Sequence, residues 1–352
     1  MKHYIIPVFI PHLGCRQQCI FCNQKKITGR HTPVSASQVA ALIDERLAGV
    51  NAKRWIEVAF FGGSFTALPA AIQNELLAPA YQALRHQRIH AIRLSTRPDC
   101  ISDSIVANLQ RQGVTTVELG VQSLDDSVLV KALRGHSRQS VTEAVGKLKA
   151  AGLQCGLQLM PGLPGEDWLS LLTTAQRTVQ LQPDFVRIYP TLVIAATPLA
   201  ELYCQGLYQP LSLAAAVARS AYLKLVFEQQ GIAVIRTGLQ ATEELDSGST
   251  VLAGPYHPAF GELVDAHIFY LMLAGFVEQN TACAESGLSI YHNPQDTSKI
   301  RGQYNSNISQ IRQRYQLAAV SLHPDTAVKT GTLLLACGGL TYIINKNMIN
   351  RI

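Results

Sequence analysis

The sequence predicts an α/β protein built on a sheet of six parallel strands, with a smaller extension at its carboxyl end. Between residue 4 and about residue 190, short apolar runs alternate with longer stretches of helical spacing, and Gly, Pro or polar turns separate them. Such alternation is typical of βαβ units, whose strands are parallel and whose crossovers are right-handed. Six strands of this kind form either an open doubly wound sheet or a partial barrel.

The elements can be assigned one after another along the chain. Strands are predicted at residues 4–10, 56–61, 90–95, 115–121, 154–160 and 184–189. Helices are predicted at residues 36–48, 70–86, 102–112, 125–151 (with an interruption near Gly135) and 166–181. Gly14 after the first strand leads into a cysteine-rich loop without a Gly-x-Gly-x-x-Gly motif, which disfavours a nicotinamide-binding sheet. Ligands of parallel sheets bind beyond the carboxyl ends of the strands, where this loop lies.

The pattern becomes less regular after residue 195. A helix is predicted at residues 211–231, a strand at 232–240 and another helix at 262–275. The tail is predicted to form a small strand-helix-strand unit. We therefore expect residues 1–235 to form the sheet domain, and residues 236–352 to form either a substrate-covering region or an accessory region.

Composition indicates a folded protein with a large core. Of the 352 residues, 47% are hydrophobic and 15% are charged, which excludes an intrinsically disordered chain. The net charge of +6 permits an anionic partner such as RNA, but Lys and Arg are spread along the chain. Charge alone therefore gives little support to an RNA partner.

The first residues and the longest apolar runs bear on location. Pro7 and Pro11 interrupt the apolar start, and no small-residue cleavage site follows, so we expect a buried strand rather than a signal peptide. No apolar run approaches the roughly 18 residues of a membrane span. We therefore expect a cytoplasmic protein without a membrane partner.

Three of the eight cysteines lie in the stretch HLGCRQQCIFCNQ, where Cys15, Cys19 and Cys22 are spaced C-x3-C-x2-C. No fourth thiol is near enough in sequence to complete a tetrahedral metal site. One interpretation is a zinc site that His12 completes, and the other is an iron-sulfur cluster that leaves one iron open to a ligand. The other five cysteines are expected to be separate core or incidental thiols: Cys100, Cys155, Cys204, Cys283 and Cys337.

The cysteine spacing, with the aromatic Phe21 just before the last cysteine, resembles the signature of the radical S-adenosylmethionine superfamily. The resemblance implies that Cys15, Cys19 and Cys22 hold a [4Fe-4S] cluster whose open iron binds S-adenosyl-L-methionine (SAM). It implies that one electron from the cluster cleaves SAM to a 5′-deoxyadenosyl radical, which abstracts a hydrogen atom. It further implies a partial (β/α)6 barrel with a smaller C-terminal α+β extension, and an electron donor such as flavodoxin or ferredoxin.

Two further motifs extend the resemblance to the SAM-binding residues. FFGGSFT resembles the family's glycine motif after the second strand, and this implies that Gly62, Gly63 and Ser64 receive the methionine amino group. ELGVQSLDDSVLVKALRGH resembles the region after the fourth strand in coproporphyrinogen-oxidase-type and elongator-type enzymes. There the resemblance implies that Gln122 contacts SAM and that Arg134 binds its carboxylate, for which a guanidinium fork is suited.

The ends of the third and fifth strands supply the remaining implied contacts. LQLMPGLPGE places Gln158 where the family directs a polar side chain to the ribose. STRPD places Ser95 where relatives commonly carry Glu, so Thr96 or Arg97 would have to compensate for that contact.

The segment RIYPTLVIAATPLAELY resembles part of the radical domain of the elongator catalytic subunit. The resemblance covers about residues 1–235. The family's acetyltransferase domain and its basic tRNA-binding extension are not visible in this sequence. Full carboxymethylation-type chemistry is therefore not expected of these residues alone.

These motifs do not identify the substrate. One hypothesis is an RNA nucleoside, a second is a small molecule or a protein side chain, and a third is a zinc-stabilised RNA-binding or scaffold protein without catalysis. In the stretch GPYHPAFGE, Tyr256, His257 and Glu262 are candidates for substrate contact or radical quenching. The alternative is that Pro255 and Pro258 only frame the start of a helix.

Overall fold

The computed structural model describes residues 3–10, 19–23, 34–50, 54–240 and 250–349. The strands up to residue 240 are β1 (His3–Ile10), β2 (Trp55–Gly62), β3 (Ala91–Thr96), β4 (Thr116–Gln122), β5 (Gln154–Leu159), β6 (Phe185–Ile188), the short β7 (Val193–Ile194) and β8 (Ala233–Thr237). The helices are α1 (Ala36–Ala48), α2 (Ala70–Arg85), α3 (Asp103–Arg111), α4 (Asp126–Lys131), α5 (Arg138–Ala150), α6 (Trp168–Leu181), α7 (Pro198–Cys204) and α8 (Leu213–Gln229).

All of these strands except β7 form one parallel sheet in the order β1-β2-β3-β4-β5-β6-β8. The order follows the chain without the reversal that defines a doubly wound sheet, so the winding is that of a barrel. The predicted partial barrel is therefore confirmed. The six predicted strands all begin and end within one residue of the observed bounds, and the strand predicted at 232–240 joins the sheet as its seventh member.

Side chains alternate between the two faces of this sheet. Val58, Leu94 and Leu157 are buried on the outer face and pack under the helices in the larger apolar core. Strand register places polar and charged side chains together on the opposite, inner face: Glu57, Arg93, Ser95, Glu118, Gln158 and Arg187. Parallel strands covered by helices on both sides are apolar throughout, so a polar inner face is typical of a ligand site.

The interruption predicted near Gly135 is confirmed. The chain leaves α4 at Lys131 and enters α5 at Arg138, and Gly135 takes a positive φ of 65° between them. Ser137 begins α5, because its hydroxyl accepts a hydrogen bond from the N–H of Ser140. Because of this break, the segment around Arg134 lies at the carboxyl ends of the strands.

Residues 250–349 add a smaller α+β unit, as predicted. Its elements are β9 (Val251–Ala253), α9 (Phe260–Gln279), α10 (Cys283–Ser286), β10 (Leu288–His292), α11 (Thr297–Arg301), α12 (Ser306–Arg314), β11 (Val320–Pro324), β12 (Thr332–Cys337) and β13 (Leu340–Asn345). β9 pairs with β7, and the other four strands form a sheet in the order β11-β10-β12-β13. Helix α8 contributes Phe227 to the core of the barrel and Leu225 to the core of this unit. The division at residue 235 remains a prediction.

Helix α9 corrects the expectation that no segment is long and apolar enough for a membrane span. It has 20 residues and a mean hydropathy of 1.4 over its most apolar window. Glu262, Asp265 and His267 lie between the apolar residues of this helix, so the sequence shows no continuous apolar run there. The central helix of a folded core has the same length and composition, and 56% of the window is buried here.

A second correction concerns two cysteines of this unit. Cys283 and Cys337 were expected to be separate thiols, but they form a disulfide with a Cα–Cα distance of 5.3 Å. They are 54 residues apart in the chain, and only the packing of α10 against the end of β12 brings them together. Cys155 and Cys204 form no disulfide in the described part of the chain, as expected.

Candidate active site

A cavity of about 170 Å³ opens at the carboxyl ends of β2 to β5, next to the described part of the cysteine segment. Every SAM-contact residue implied by the sequence lies in its wall, together with two of the three cysteines: Cys19, Phe21, Cys22, Gly62, Gly63, Ser64, Ser95, Gln122, Arg134 and Gln158. The wall also contains residues given no primary role from the sequence: Thr96, Arg97, Glu118, Leu119 and Gly120. The contacts of these residues with a cofactor remain predictions.

The cysteine segment is fixed by hydrogen bonds on both sides of Ile20. The N–H of Ile20 donates to the carbonyl of Ala132 at 3.3 Å, and its carbonyl accepts from the N–H of Leu199 at 2.8 Å. The N–H of Cys22 donates to the carbonyl of Cys19 at 3.1 Å, so a tight turn brings the two cysteines close together, and both line the cavity. Cys15 and His12 lie outside the described residues, and in the described part of the chain no three His, Cys, Asp or Glu side chains come together.

The glycine motif makes a close backbone approach that only glycine allows. Gly62 has a φ of 107°, and a Cβ there would lie 2.8 Å from the carbonyl oxygen of Ile10. The N–H of Gly63 donates to that same oxygen at 2.7 Å. The end of β2 is thereby drawn against the end of β1, immediately before the cysteine segment.

Arg134 connects the cysteine segment to the fourth strand. Its Nη1 lies 2.7 Å from Sγ of Cys19, and its Nη2 donates to the carbonyl of Gly120. The guanidinium also lies 5.8 Å from the centre of the Phe21 ring. Gly120 permits this arrangement, because a Cβ there would lie 3.5 Å from Nη2 of Arg134 and 3.1 Å from Nε2 of Gln122.

Gln122 and Gln158 lie next to each other in the cavity wall. Gln122 has a φ of 72°, in the left-handed region, where the register of β4 and β5 shifts. Nε2 of Gln158 donates to Oε1 of Gln122 at 3.2 Å. The irregular strand end thus directs the Gln122 side chain toward β5.

Arg97 forms more hydrogen bonds within the site than the sequence indicated. Its guanidinium donates two hydrogen bonds to Asp99, each 2.9 Å, and a third to the carbonyl of Arg134 at 2.6 Å. Burial acts to lower the pKa of Arg97, but the hydrogen bonds and charge of Asp99 outweigh it and raise the pKa. Nη1 of Arg97 and Nε of Arg134 are buried without a hydrogen-bond partner among the described residues.

His136 ends the motif that contains Arg134, and it is neutral at physiological pH. Burial lowers its pKa to about 3, and the positive charges of Arg134 and Arg97 lower it further. The imidazole therefore adds no third cation beside the two guanidiniums.

A buried charge network forms the floor beneath the cavity, and it was not predicted from the sequence. Arg93 donates to Glu57 at 2.9 Å and to Glu118 at 2.5 Å. Arg187 binds the other side of Glu118, at 2.8 and 3.0 Å. Alternation of charged residues within apolar strands was the one available signal, but the pairing depends on strand register. Nη1 of Arg187 also donates to the hydroxyl of Tyr189 at 3.2 Å.

The three C-terminal candidates do not lie in the cavity wall. Tyr256 packs beside Leu192 and Ile194. Nδ1 of His257 accepts a hydrogen bond from the N–H of Ala259 at 3.1 Å, at the start of α9. Glu262 is exposed in the first turn of that helix. The position of His257 is explained by its hydrogen bond at the start of α9. Catalytic roles for the three residues remain predictions.

The residues around the cavity fit the implied cofactors. Cys19 and Cys22 line the cavity, a glycine turn offers close backbone approach, and two buried guanidinium nitrogens have no hydrogen-bond partner among the described residues. Thiolates are the ligands that iron-sulfur clusters require, and unpartnered guanidinium donors suit the carboxylate of an amino acid.

Comparison with known proteins assigns the class. The family profile described as the Radical SAM superfamily matches residues 9–177, and the profile described as the Radical_SAM C-terminal domain matches residues 183–269. The chain belongs to the radical SAM superfamily, as its cysteine spacing predicted.

Within that superfamily the chain is similar to the radical domain of elongator-type proteins. The tRNA uridine(34) acetyltransferase of Methanocaldococcus infernus is 30% identical over 191 residues, which are 49% of this chain and 36% of that protein. Elongator complex protein 3 of Homo sapiens is 29% identical over 187 residues, 47% of this chain and 34% of that protein. The matched region thus spans about a third of the length of these relatives.

A solved structure shares the fold. The archaeal M. infernus Elp3 with an N-terminal deletion superposes with a TM-score of 0.60 at 23% identity. The match covers 76% of this chain and 62% of that chain. It supports the partial barrel and its extension.

Proposed function

We propose that this protein is a radical SAM enzyme that cleaves SAM reductively at a [4Fe-4S] cluster and abstracts a hydrogen atom from a nucleoside in RNA. The observation that carries the proposal is the single cavity in which Cys19, Cys22, Gly62 and Arg134 meet. These residue types supply cluster ligands, a close backbone approach and a carboxylate partner at one place.

Different residues of the chain would bind the cluster and SAM. Cys19 and Cys22, with Cys15, would hold the cluster. Arg134 and Arg97 would bind the carboxylate of SAM through their unpartnered N–H groups. When bound, the cofactors supply a one-electron cleavage of SAM that yields methionine and 5′-deoxyadenosine and takes a hydrogen atom from the substrate. The protein's part is to orient these groups and exclude competing reactions.

The RNA substrate is supported by the relatives rather than by the cavity. Two relatives with matching radical domains carry the name tRNA uridine(34) acetyltransferase, and the chain has a net charge of +6. An electron donor of the flavodoxin or ferredoxin type would complete the reaction.

The test is metal analysis of protein purified and reconstituted without oxygen. We expect about four irons and four sulfides per chain, and loss of most of the iron in Cys22→Ala. Cys204→Ala is the matched control, because Cys204 is free and exposed away from the cavity, and its iron content should equal that of the wild type. Stoichiometric zinc without iron would instead support the zinc-stabilised binding protein.

A further inference from the structure

The end of helix α4 is attached to the cysteine segment at two points. The carbonyl of Ala132 accepts a hydrogen bond from the N–H of Ile20 at 3.3 Å, and Nη1 of Arg134 lies 2.7 Å from Sγ of Cys19. Ala132 and Arg134 are both buried. Leu133 lies between these two contacts, so its backbone is held beside the segment whose thiols would ligate the cluster.

Leu133 is exposed at this point and has an unfavourable backbone conformation. It has a φ of 52°, in the left-handed region, and is 53% exposed. The N–H of Leu133 donates to the carbonyl of Val130, and the N–H of Arg134 donates to the carbonyl of Leu129, which are the two hydrogen bonds of a Schellman motif. Glycine is favoured at the left-handed position of this motif, because a Cβ is strained there. Packing within the fold therefore does not explain a leucine at this position.

Two residues just before Leu133 in the chain are exposed with it. Val130 is 72% exposed, and Lys131 next to it is exposed as well. Val130, Lys131 and Leu133 together are called the α4 end. Apolar side chains gathered on the surface of a soluble protein mark interaction sites. Here they flank a positive charge.

The chain around the cysteines has only positive formal charges. Asp44 is the first acid of the sequence, and the residues before it include five bases: Lys2, Arg16, Lys25, Lys26 and Arg30. The two acids at the start of α4 are engaged, since Asp125 caps the helix and Asp126 pairs with Arg138. An acidic protein surface would be attracted to such a region, and opposite charges steer the association of two proteins.

The proposed reaction requires that one electron reach the cluster for each SAM cleaved. Electron transfer between proteins slows steeply with distance, so the donor must dock close to the cysteine segment. Cys19 is buried, and a donor therefore meets the residues that lie next to it, among them the α4 end. Exposed valine and leucine favour a protein surface over RNA, because phosphates are bound by charged and polar groups.

We propose that the α4 end is the docking surface for an acidic electron-donor protein of the flavodoxin type. Val130 and Leu133 supply apolar contacts, and Lys131 supplies an electrostatic one. One electron would pass from the reduced flavin of the donor to the cluster, and no atom is transferred between the two proteins. The surface deepens the proposed function and rests on it, because the cluster is the acceptor of that electron.

The experiment compares two ways of delivering the electron to the reconstituted protein. Dithionite is a small reductant that needs no docking surface, whereas flavodoxin, reduced by NADPH and flavodoxin reductase, must bind. With limiting flavodoxin we expect Leu133→Gly and Lys131→Glu to form 5′-deoxyadenosine about fivefold more slowly than the wild type, because each removes a contact of the interface. With dithionite both variants should match the wild type. Glycine suits the left-handed position, so Leu133→Gly keeps the fold.

Binding is measured separately from turnover. Isothermal titration calorimetry with an acidic, oxidised flavodoxin in the absence of SAM should give a dissociation constant about fivefold higher for each variant than for the wild type.

Tyr304→Gly and Lys329→Glu are the matched controls. Tyr304 is also left-handed, with a φ of 53°, and is 94% exposed, but it belongs to the C-terminal unit. Lys329 is exposed between β11 and β12 of the same unit. Both controls should keep the wild-type rates with either reductant and the wild-type affinity for flavodoxin.

Three results would overturn the docking surface. The first is equal flavodoxin-driven rates and equal affinities in the wild type, Leu133→Gly and Lys131→Glu. The second is an equal loss of rate with flavodoxin and with dithionite, which would mean that the α4 end supports the cofactor site. The third is weaker binding of a tRNA transcript with flavodoxin binding intact, which would assign the surface to RNA.

Failure of the docking surface and failure of the proposed function are distinguishable. A wild-type protein that forms no 5′-deoxyadenosine with dithionite contradicts the proposed function. A wild-type protein that forms it with dithionite, while the two variants respond to flavodoxin as the wild type does, retains the proposed function and loses the docking surface.

Discussion

Arg134 is the residue on which the cofactor site depends most. It contacts Cys19, Gly120 and Phe21, and its Nε is buried without a partner among the described residues. A single guanidinium thus touches the cysteine segment, and its binding of the SAM carboxylate, which the family resemblance implies, remains a prediction.

Replacement of Arg134 should separate SAM binding from cluster binding. We expect Arg134→Ala to weaken SAM binding about ten- to hundredfold, because it removes charge-assisted hydrogen bonds to a carboxylate. Iron content should stay near that of the wild type, since the iron ligands are thiolates. Equilibrium dialysis with labelled SAM, alongside iron analysis, measures both quantities. Loss of the iron with the arginine would mean that Arg134 supports the cluster instead.

Glu166 gives the fold a pH dependence. It lies after β5, where its Oε1 accepts hydrogen bonds from the N–H of Gly162 at 2.7 Å and from Arg219 at 2.8 Å. Burial nevertheless raises its pKa from 4.5 to about 7. A carboxyl with a raised pKa stabilises the fold fully below its unfolded pKa and loses that stabilisation as pH rises through the folded pKa.

We therefore expect the free energy of unfolding of the wild type to fall, relative to Glu166→Gln, by about 2 to 3 kcal/mol between pH 4.5 and pH 7. The amide keeps an acceptor for Gly162 and Arg219 but does not titrate. Urea unfolding of both proteins across this range measures the difference. Parallel pH profiles of the two proteins would show that Glu166 is ionised at neutral pH in the fold.

At the scale of elements, β5 and β6 pack closely because β5 has a glycine at the contact. The ring of Phe185 covers Gly156, where a Cβ would collide with it, and the guanidinium of Arg93 lies 4.9 Å from the centre of that ring. The packing of one strand on the next therefore holds the charge network of the inner face in place.

We expect Gly156→Ala to destabilise the fold by about 1 to 3 kcal/mol, because Phe185 must leave its position in a filled core. Gly146→Ala is the control: Gly146 lies within α5 with no atom within 4 Å of an added Cβ, so alanine should stabilise the helix by about 0.5 to 1 kcal/mol. Urea unfolding distinguishes the two variants. Equal stability of Gly156→Ala and the wild type would contradict this packing.

Elements were predictable from sequence to the extent that local patterns define them. Apolar runs between turn residues located β1 to β6 within one residue, and Gly135 indicated the break before α5. The two-residue β7 is too short to produce a pattern. The network around Glu118 and the disulfide of Cys283 depend on register or on distant contacts, which no local pattern encodes.

At the scale of the whole molecule, two cores share helix α8, and the charge of the chain is +6. If RNA is the substrate, its phosphates should supply much of the affinity, since their neutralisation releases counterions. We expect the affinity for a tRNA transcript to fall at least tenfold between about 50 mM and about 200 mM salt. Filter binding at several salt concentrations measures this slope. Affinity that does not change with salt would favour a small-molecule or protein substrate.

The central claim is that this chain performs radical SAM chemistry, and formation of 5′-deoxyadenosine tests it most directly. Protein reconstituted without oxygen is incubated with SAM and dithionite, and the products are quantified by liquid chromatography with mass spectrometry. We expect wild-type protein and Cys204→Ala to release 5′-deoxyadenosine and methionine, and Cys19→Ala and Cys22→Ala to release neither. No product from a wild-type protein that holds its iron, or equal product from the Cys22→Ala variant, would contradict the account.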